Sequence, residues 1–130
     1  MNVSGRSYPP VTTKLDADHV AAFARSVGAE PKAGVPPTYA AVYALFATAP
    51  QLFADEEAAV DFSRLLHAEQ EFEWERHPEV GEEVTAVGTV AADLERRGAR
   101  FITFVADCTD GDGRPLCRSR SLFVVRGPDA

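Results

Sequence analysis

Three histidines are the side chains of this chain best suited to carrying protons near neutral pH. His19 falls in the first turn of a helix that Asp16 would cap, and a surface position is expected. His77 precedes Pro78 in a turn and should be exposed. His67 is the one that invites a chemical role. It lies in an alternating stretch, Leu65 to Arg76, where Leu66, Ala68, Gln70, Phe72 and Trp74 share one side. His67, Glu69, Glu71 and Glu73 share the other, so alternation places His67 among carboxylates on a wet face. Hydrogen bonding of a structural or pocket-edge kind is the expected use, ahead of catalysis. Gln70, on the apolar side, is an amide that needs partners if buried. It is expected either to tie the strand to the central helix or its preceding loop, or to line a ligand pocket. Thr38 would cap a helix or face a cleft, and Tyr39 would serve the core or border an acyl-sized tunnel beside the helix. The substrate-binding candidates are therefore Thr38, Tyr39, His67 and Gln70, and no residue is assigned a catalytic role.

Other chemistries lack their residues. No nucleophile signature, metal-ligand cluster or phosphate-cradling glycine loop is present, and no cofactor or metal is expected. Asp110-Gly111-Asp112-Gly113 resembles a piece of a calcium loop without its downstream ligands, and reads as turn chemistry. Thirteen basic residues against twenty acidic ones give a net charge of −7, which excludes the concentrated basic surface of a nucleic-acid binder or an anionic-membrane binder. The N-terminus has no apolar core of a secretory signal, and with two cysteines a reducing cytoplasm is the expected compartment.

The elements that must position these residues are legible in outline. Residues 1–130 are expected to form a single domain. Ser7 to Thr13, with Pro9 and Pro10, should run extended at a sheet edge or outside the ladder. A first helix spans Ala17 to about Val27, with Val20, Phe23, Ala24 and Val27 on one face and Gly28 as its stop. A central helix, about Pro37 to Ala49, opens on Pro36 and Pro37 and is expected to end at Pro50. Tyr39, Val42, Tyr43 and Phe46 follow its apolar period, and no residue from Val35 to Pro50 is charged. Such a helix must be wrapped by other elements. Gln51 to Ser63 is helical or irregular with Asp55, Glu56 and Glu57 exposed. Strands then follow at Leu65 to Arg76, Glu83 to Glu95, Phe101 to Thr109 and Pro115 to Arg126, read as an antiparallel meander. If the turn centres between Asp112 and Gly113, Cys108 faces Cys117, Asp107 faces Arg118 and Ile102 faces Phe123. The cysteines are expected as a reduced, inward pair. An antiparallel sheet around one apolar helix is an α+β arrangement, the hot-dog fold. Pairing of two such sheets through their edges would remove an open edge.

Five segments together resemble the MaoC-like dehydratases: R-S-Y-P-P-V, V-P-P-T-Y, L-L-H-A-E-Q-E-F, H-P-E-V-G and R-S-R-S-L-F-V-V-R-G. They are most similar to the N-terminal, FAS1-like dehydratase branch. That branch includes non-catalytic subunits, of the HadA and HadC kind, of (3R)-hydroxyacyl-ACP dehydratases. The resemblance runs from about Ser7 to Gly127. Catalytic relatives carry G-D-x-N-P-x-H ahead of the central helix. Here that position reads Gly28-Ala29-Glu30-Pro31-Lys32-Ala33-Gly34, with neither the aspartate nor the histidine.

Dehydration of a 3-hydroxyacyl thioester needs a base for the α-proton and an acid for the departing hydroxide. The resemblance therefore implies a subunit that braces a catalytic MaoC-like partner carrying the Asp/His pair and shapes its channel for acyl-ACP or acyl-CoA. A second reading is a stand-alone acyl-thioester-binding or regulatory homodimer. A third is a hydratase or thioesterase with a site of its own around His67 and Gln70. The thioesterase version is opposed by the absence of any carboxylate on the central helix. A carrier protein is expected to dock on the partner, or on the local basic cluster Arg96, Arg97 and Arg100.

Overall fold

The computed structural model describes residues 2–127. Strand β1 (Val11–Lys14) leads into helix α1 (Ala17–Ser26), which Asp16 caps by accepting the His19 N–H at 3.2 Å. Val20 and Ala24 are buried as the period requires, while Val27, expected on the same face, is 51% exposed. The helix has ended by then: Val27 is its C-cap, and Gly28 follows at φ +76°, a backbone conformation suited to glycine.

The central helix is built in three sections: a 3₁₀ turn (Pro37–Tyr39), a π-helical stretch (Ala41–Phe46) and helix α2 (Ala47–Ala54). Two expectations change here. Pro50 does not stop the helix, which runs on to Ala54. Because α-helical bonding restarts at Ala47, Pro50 falls among the first four residues, whose N–H groups have no partner within that segment. The wide π turns also rotate the buried face. Tyr39, Tyr43, Ala44, Leu45, Thr48 and Ala49 are inside, whereas Phe46, expected in the core, is 63% exposed. The Thr48 hydroxyl donates to Ala44 O at 2.7 Å, so the buried polar group is satisfied.

Four long strands complete the sheet: β2 (Leu65–Trp74), β3 (Glu83–Arg96), β4 (Ala99–Thr109) and β5 (Pro115–Arg126), all antiparallel in the order β1-β3-β4-β5-β2. The π section of the central helix packs on β3, β4 and β5, with the sheet around it as in a hot-dog fold. The expected meander holds only for β3-β4-β5. β2 pairs with β5, not with β3, which sets Glu71 beside Arg120 and Glu73 beside Arg118. Opposite charges facing across strands favour this pairing. Pro78 in the connection from β2 to β3 bars a tight ladder turn. The crossing is held instead by Arg76, whose guanidinium bonds Glu82 and reaches Asp110 Oδ2 at 3.1 Å in the β4–β5 turn.

Along β4 and β5 the register is as expected: Cys108 faces Cys117, Asp107 faces Arg118 and Ile102 faces Phe123. Both cysteines are free and buried. The residues before β1 continue this edge, Ser7 bridging to Thr89. They also clasp the end of α2: Tyr8 Oη donates to Asp55 Oδ2 at 2.7 Å, Arg6 Nη1 to the same oxygen at 2.9 Å, and Gln51 Nε2 to Pro9 O at 3.0 Å. Asp55 is thus engaged and only partly accessible, not an exposed acid. Two apolar clusters fill the interior. One holds Tyr39, Tyr43, Cys108 and Cys117; the other holds Leu45, Leu52, Phe104 and Phe123.

Candidate functional site

The feature that shapes the site is a single extra residue in β2. Pairing with β5 runs Trp74↔Cys117, Phe72↔Ser119 and Gln70↔Ser121, then slips at Ala68, so that His67 faces Phe123 and Leu65 faces Val125. A bulge of this kind reverses the faces of everything beyond it. His67 and Gln70 therefore point to the same, inner side, which strict alternation denied. Leu66, expected inside, is 56% exposed, and Ala68 is exposed as the bulged residue. Strand β3 carries a matching irregularity between Val90 and Ala92, which turns Asp93 inward opposite Ile102. One inner row thus reads Asp93, Ile102, Phe123, His67 across four strands.

His67 rests on Phe123 with ring centroids 5.1 Å apart, and Phe53 of α2 packs on the same ring at 5.3 Å. Its Nε2 lies 3.0 Å from Gln70 Oε1. Ser121 Oγ donates to that same Oε1 at 2.5 Å, and Gln70 Nε2 donates to Ser119 Oγ at 2.9 Å and to Glu71 O at 3.2 Å. Both serines are buried at 1% exposure. Hydroxyls so deep in an apolar row are costly unless paired, and both are spent on Gln70. Periodicity alone could not find this cluster. The signal was the run of Ser119 and Ser121 at inward positions of β5.

Thr38 and Tyr39 lie elsewhere. Tyr39 is buried, edge-on to Phe23 at 5.1 Å, within the cluster that holds Tyr43. Thr38 is exposed and makes no side-chain cap at the helix start, where Pro36 is the N-cap. Tyr43 joins the sheet by accepting the Trp74 Nε1–H at 3.2 Å, and burial raises its phenol well above the ordinary range. The structure brings His67 and Gln70 together, leaves Tyr39 in the other cluster and leaves Thr38 exposed beside it in sequence.

The loop between α1 and the central helix holds little acid–base chemistry. Ala29 N–H closes on Ala24 O at 2.8 Å, and Pro31–Ala33 forms a 3₁₀ turn. The loop's one carboxylate, Glu30, accepts the Lys32 N–H at 3.2 Å and so caps that turn. The basic cluster also shrinks. Arg100 is 9% exposed, its Nε and Nη2 each 2.8 Å from Asp93 and its Nη1 on Ala58 O. Only Arg96 and Arg97 of the expected docking cluster remain exposed. Among the described residues, no group of three or more His, Cys, Asp or Glu is placed to hold a metal, and no helix is long and apolar enough to cross a membrane.

Fold and interior together define a MaoC-like hot-dog protein. The family model for the FAS1-like dehydratase domain region matches residues 2–119, and the chain belongs to that family. Among curated relatives it is 32% identical to a UPF0336 protein of Clavibacter michiganensis, over 98% of this chain and 96% of that one. A UPF0336 protein of Saccharopolyspora erythraea is 28% identical, with 95% and 88% covered. Solved structures share the fold. The HadBC (3R-hydroxyacyl-ACP dehydratase) complex of Mycobacterium tuberculosis gives a TM-score of 0.76 at 18% identity, covering 95% of this chain and 98% of that one. The ChsH1-ChsH2 complex of the same organism gives 0.70 at 12%, covering 94% and 89%.

Proposed function

We propose that this chain is the non-catalytic subunit of a heteromeric, cytoplasmic (3R)-hydroxyacyl-thioester dehydratase or hydratase. It braces the site of a MaoC-like partner that brings the Asp/His pair, and helps shape the channel for acyl-ACP or acyl-CoA. The observation that carries this reading is the loop from Gly28 to Gly34, whose only carboxylate is turned onto its own backbone. The proton removal and the hydroxide departure then have no paired groups at the place where catalytic relatives keep them. Further support comes from strand β2, a ten-residue sheet edge with no neighbour on its outer side among the described residues, and from the exposed Phe46 and Phe62. Long open edges and exposed aromatic side chains invite a second chain. The structures named above, HadBC and ChsH1-ChsH2, are themselves complexes, which agrees with such an assembly.

The test is co-expression with a chain carrying G-D-x-N-P-x-H, followed by hydration of crotonyl-CoA. This protein alone should be inactive, and the pair active above the partner alone. Turnover by this chain alone, abolished by His67→Ala, would overturn the non-catalytic assignment. A homodimer that binds acyl thioesters without catalysis is the second reading, favoured by the His67–Gln70 cluster being complete within one chain. Binding of crotonyl-CoA with no gain from any partner would select it.

A further inference from the structure

The Gln70 amide has no capacity left for a ligand. Its oxygen accepts from Ser121 Oγ and lies against His67 Nε2, while its nitrogen donates to Ser119 Oγ and Glu71 O. Two lone pairs and two N–H groups are all it has. The Glu71 carbonyl only accepts, so the amide nitrogen must be the end that faces it. The oxygen therefore faces His67, and an amide oxygen cannot donate. His67 Nε2 must carry the proton, which leaves the lone pair of the neutral ring on Nδ1. Among the described residues no hydrogen-bond partner reaches Nδ1, and the side chain is exposed while its ring leans on Phe123.

Three costly features converge on this one ring: a bulge at Ala68 that brings it to the inner side, two buried serine hydroxyls, and an amide with every valence engaged. Bulges are frequent at sheet edges, where β2 lies, and next to active sites, where they re-aim a side chain. We infer that His67 presents Nδ1 as a fixed hydrogen-bond acceptor for an N–H or O–H donor of the ligand, with Gln70, Ser119 and Ser121 as positioning residues that set its tautomer. The ligand's identity rests on the acyl-thioester reading above. Such a ligand offers two kinds of donor: the amide N–H groups of the pantetheine arm and the 3-hydroxyl of the hydrated acyl chain. The thioester carbonyl only accepts and does not suit Nδ1.

The test uses the full chain labelled with ¹⁵N-histidine, at a pH of about 8, where free imidazole is neutral. A long-range proton–nitrogen correlation should show a protonated Nε2 and a bare Nδ1 on His67. Titration follows with CoA, crotonyl-CoA and (3R)-3-hydroxybutyryl-CoA. An Nδ1 shift with all three identifies a pantetheine amide as the donor, and a shift with the hydroxyacyl form alone identifies the hydroxyl. His67→Asn keeps an acceptor near the Nδ1 position, whereas His67→Gln keeps only the donor toward Gln70. The Asn variant should therefore bind roughly tenfold tighter than the Gln variant, the equivalent of one ligand hydrogen bond. A purely structural histidine would give the reverse order. A proton on Nδ1, an Nδ1 resonance unmoved by all three ligands, or equal binding by the two variants would overturn the inference. Hydratase activity of the co-expressed pair bears on the subunit assignment alone, so either can fail without the other.

Discussion

Asp93 and Arg100 face each other inside the protein, with Nε and Nη2 of the guanidinium each 2.8 Å from a carboxylate oxygen. Asp93 Oδ2 also accepts the Val3 N–H at 2.9 Å, and Arg100 Nη1 reaches Ala58 O. One ion pair thus joins β3, β4, the N-terminal segment and the turn after α2. Burial acts to raise the Asp93 carboxyl, but the Arg100 and Val3 hydrogen bonds outweigh it and hold it below the usual range. Arg100→Met leaves a buried carboxylate unpaired and should cost about 3–5 kcal/mol. Replacing both residues with apolar ones should cost less, because no charge is then stranded. Denaturant unfolding of the single and double variants checks this, and a double variant as weak as Arg100→Met would contradict it.

Asp55 should govern part of the acid response. Hydrogen bonds from Tyr8 and Arg6 lower its carboxyl to about 2. A carboxyl depressed in the folded state adds stability that is present above its unfolded value and lost as pH falls through the folded one. The loss should fall between about pH 4 and pH 2. In a stability–pH profile followed by tryptophan fluorescence, Asp55→Asn should be flatter than the native protein in that window. Profiles of equal slope would show that the clasp does not form in solution.

Gly88 lies on the inner side of β3, where an added Cβ would sit 2.4 Å from Phe104 Cζ and 3.2 Å from Thr48 Cβ. Glycine inside a strand here marks the close approach of sheet and helix. Gly88→Ala should destabilise by about 1–3 kcal/mol through overpacking. Adding Phe104→Leu should recover part of that loss, since it removes the ring that the methyl meets. Thermal unfolding of Gly88→Ala, Phe104→Leu and the pair decides, and a double loss equal to the sum of the two single losses would place the strain elsewhere.

Cys108 and Cys117 sit opposite each other at 2% and 5% exposure. Contact with Cys117 and burial push the Cys108 thiol up, while contacts with Cys108 and Tyr43 lower Cys117 against its own burial. Both are shut away from solvent, so neither has the accessible setting of a redox-active cysteine. Thiol titration should find two reduced groups, slow to react in the native protein and fast in denaturant. Rapid native labelling of either would mean that this end of the sheet opens.

The protein should not run as a monomer. Light scattering at low micromolar concentration is expected to show a dimer, or a complex with a MaoC-like partner. Phe46→Glu combined with Phe62→Glu should weaken that association at a small cost in stability, since both side chains are exposed and only the Phe62 ring packs on Phe53. A species of about 14.0 kDa from the native protein, even with partner present, would rule out pairing.

What the sequence determined by itself is local or strictly periodic. The Asp16 cap, the uncharged central helix and the three strands of the β3-β4-β5 meander follow from residue type and spacing. The Cys108–Cys117 register follows as well, because a short turn fixes pairing by counting outward from it. Tertiary structure decided whatever depends on one residue more or less. The bulge at Ala68 has no mark in the alternation of β2, yet it reverses the face of His67 and so brings it to Gln70. The π turns before Ala47 likewise move Phe46 outward and let Pro50 stay in the helix. Pairing of β2 with β5 brings together residues about fifty positions apart in sequence, Gln70 with Ser119 and Ser121. Their hydrogen bonds offset the cost of the bulge and of burying polar groups. Periodicity reports only which way a regular strand faces, and contacts across that distance decide where regularity breaks.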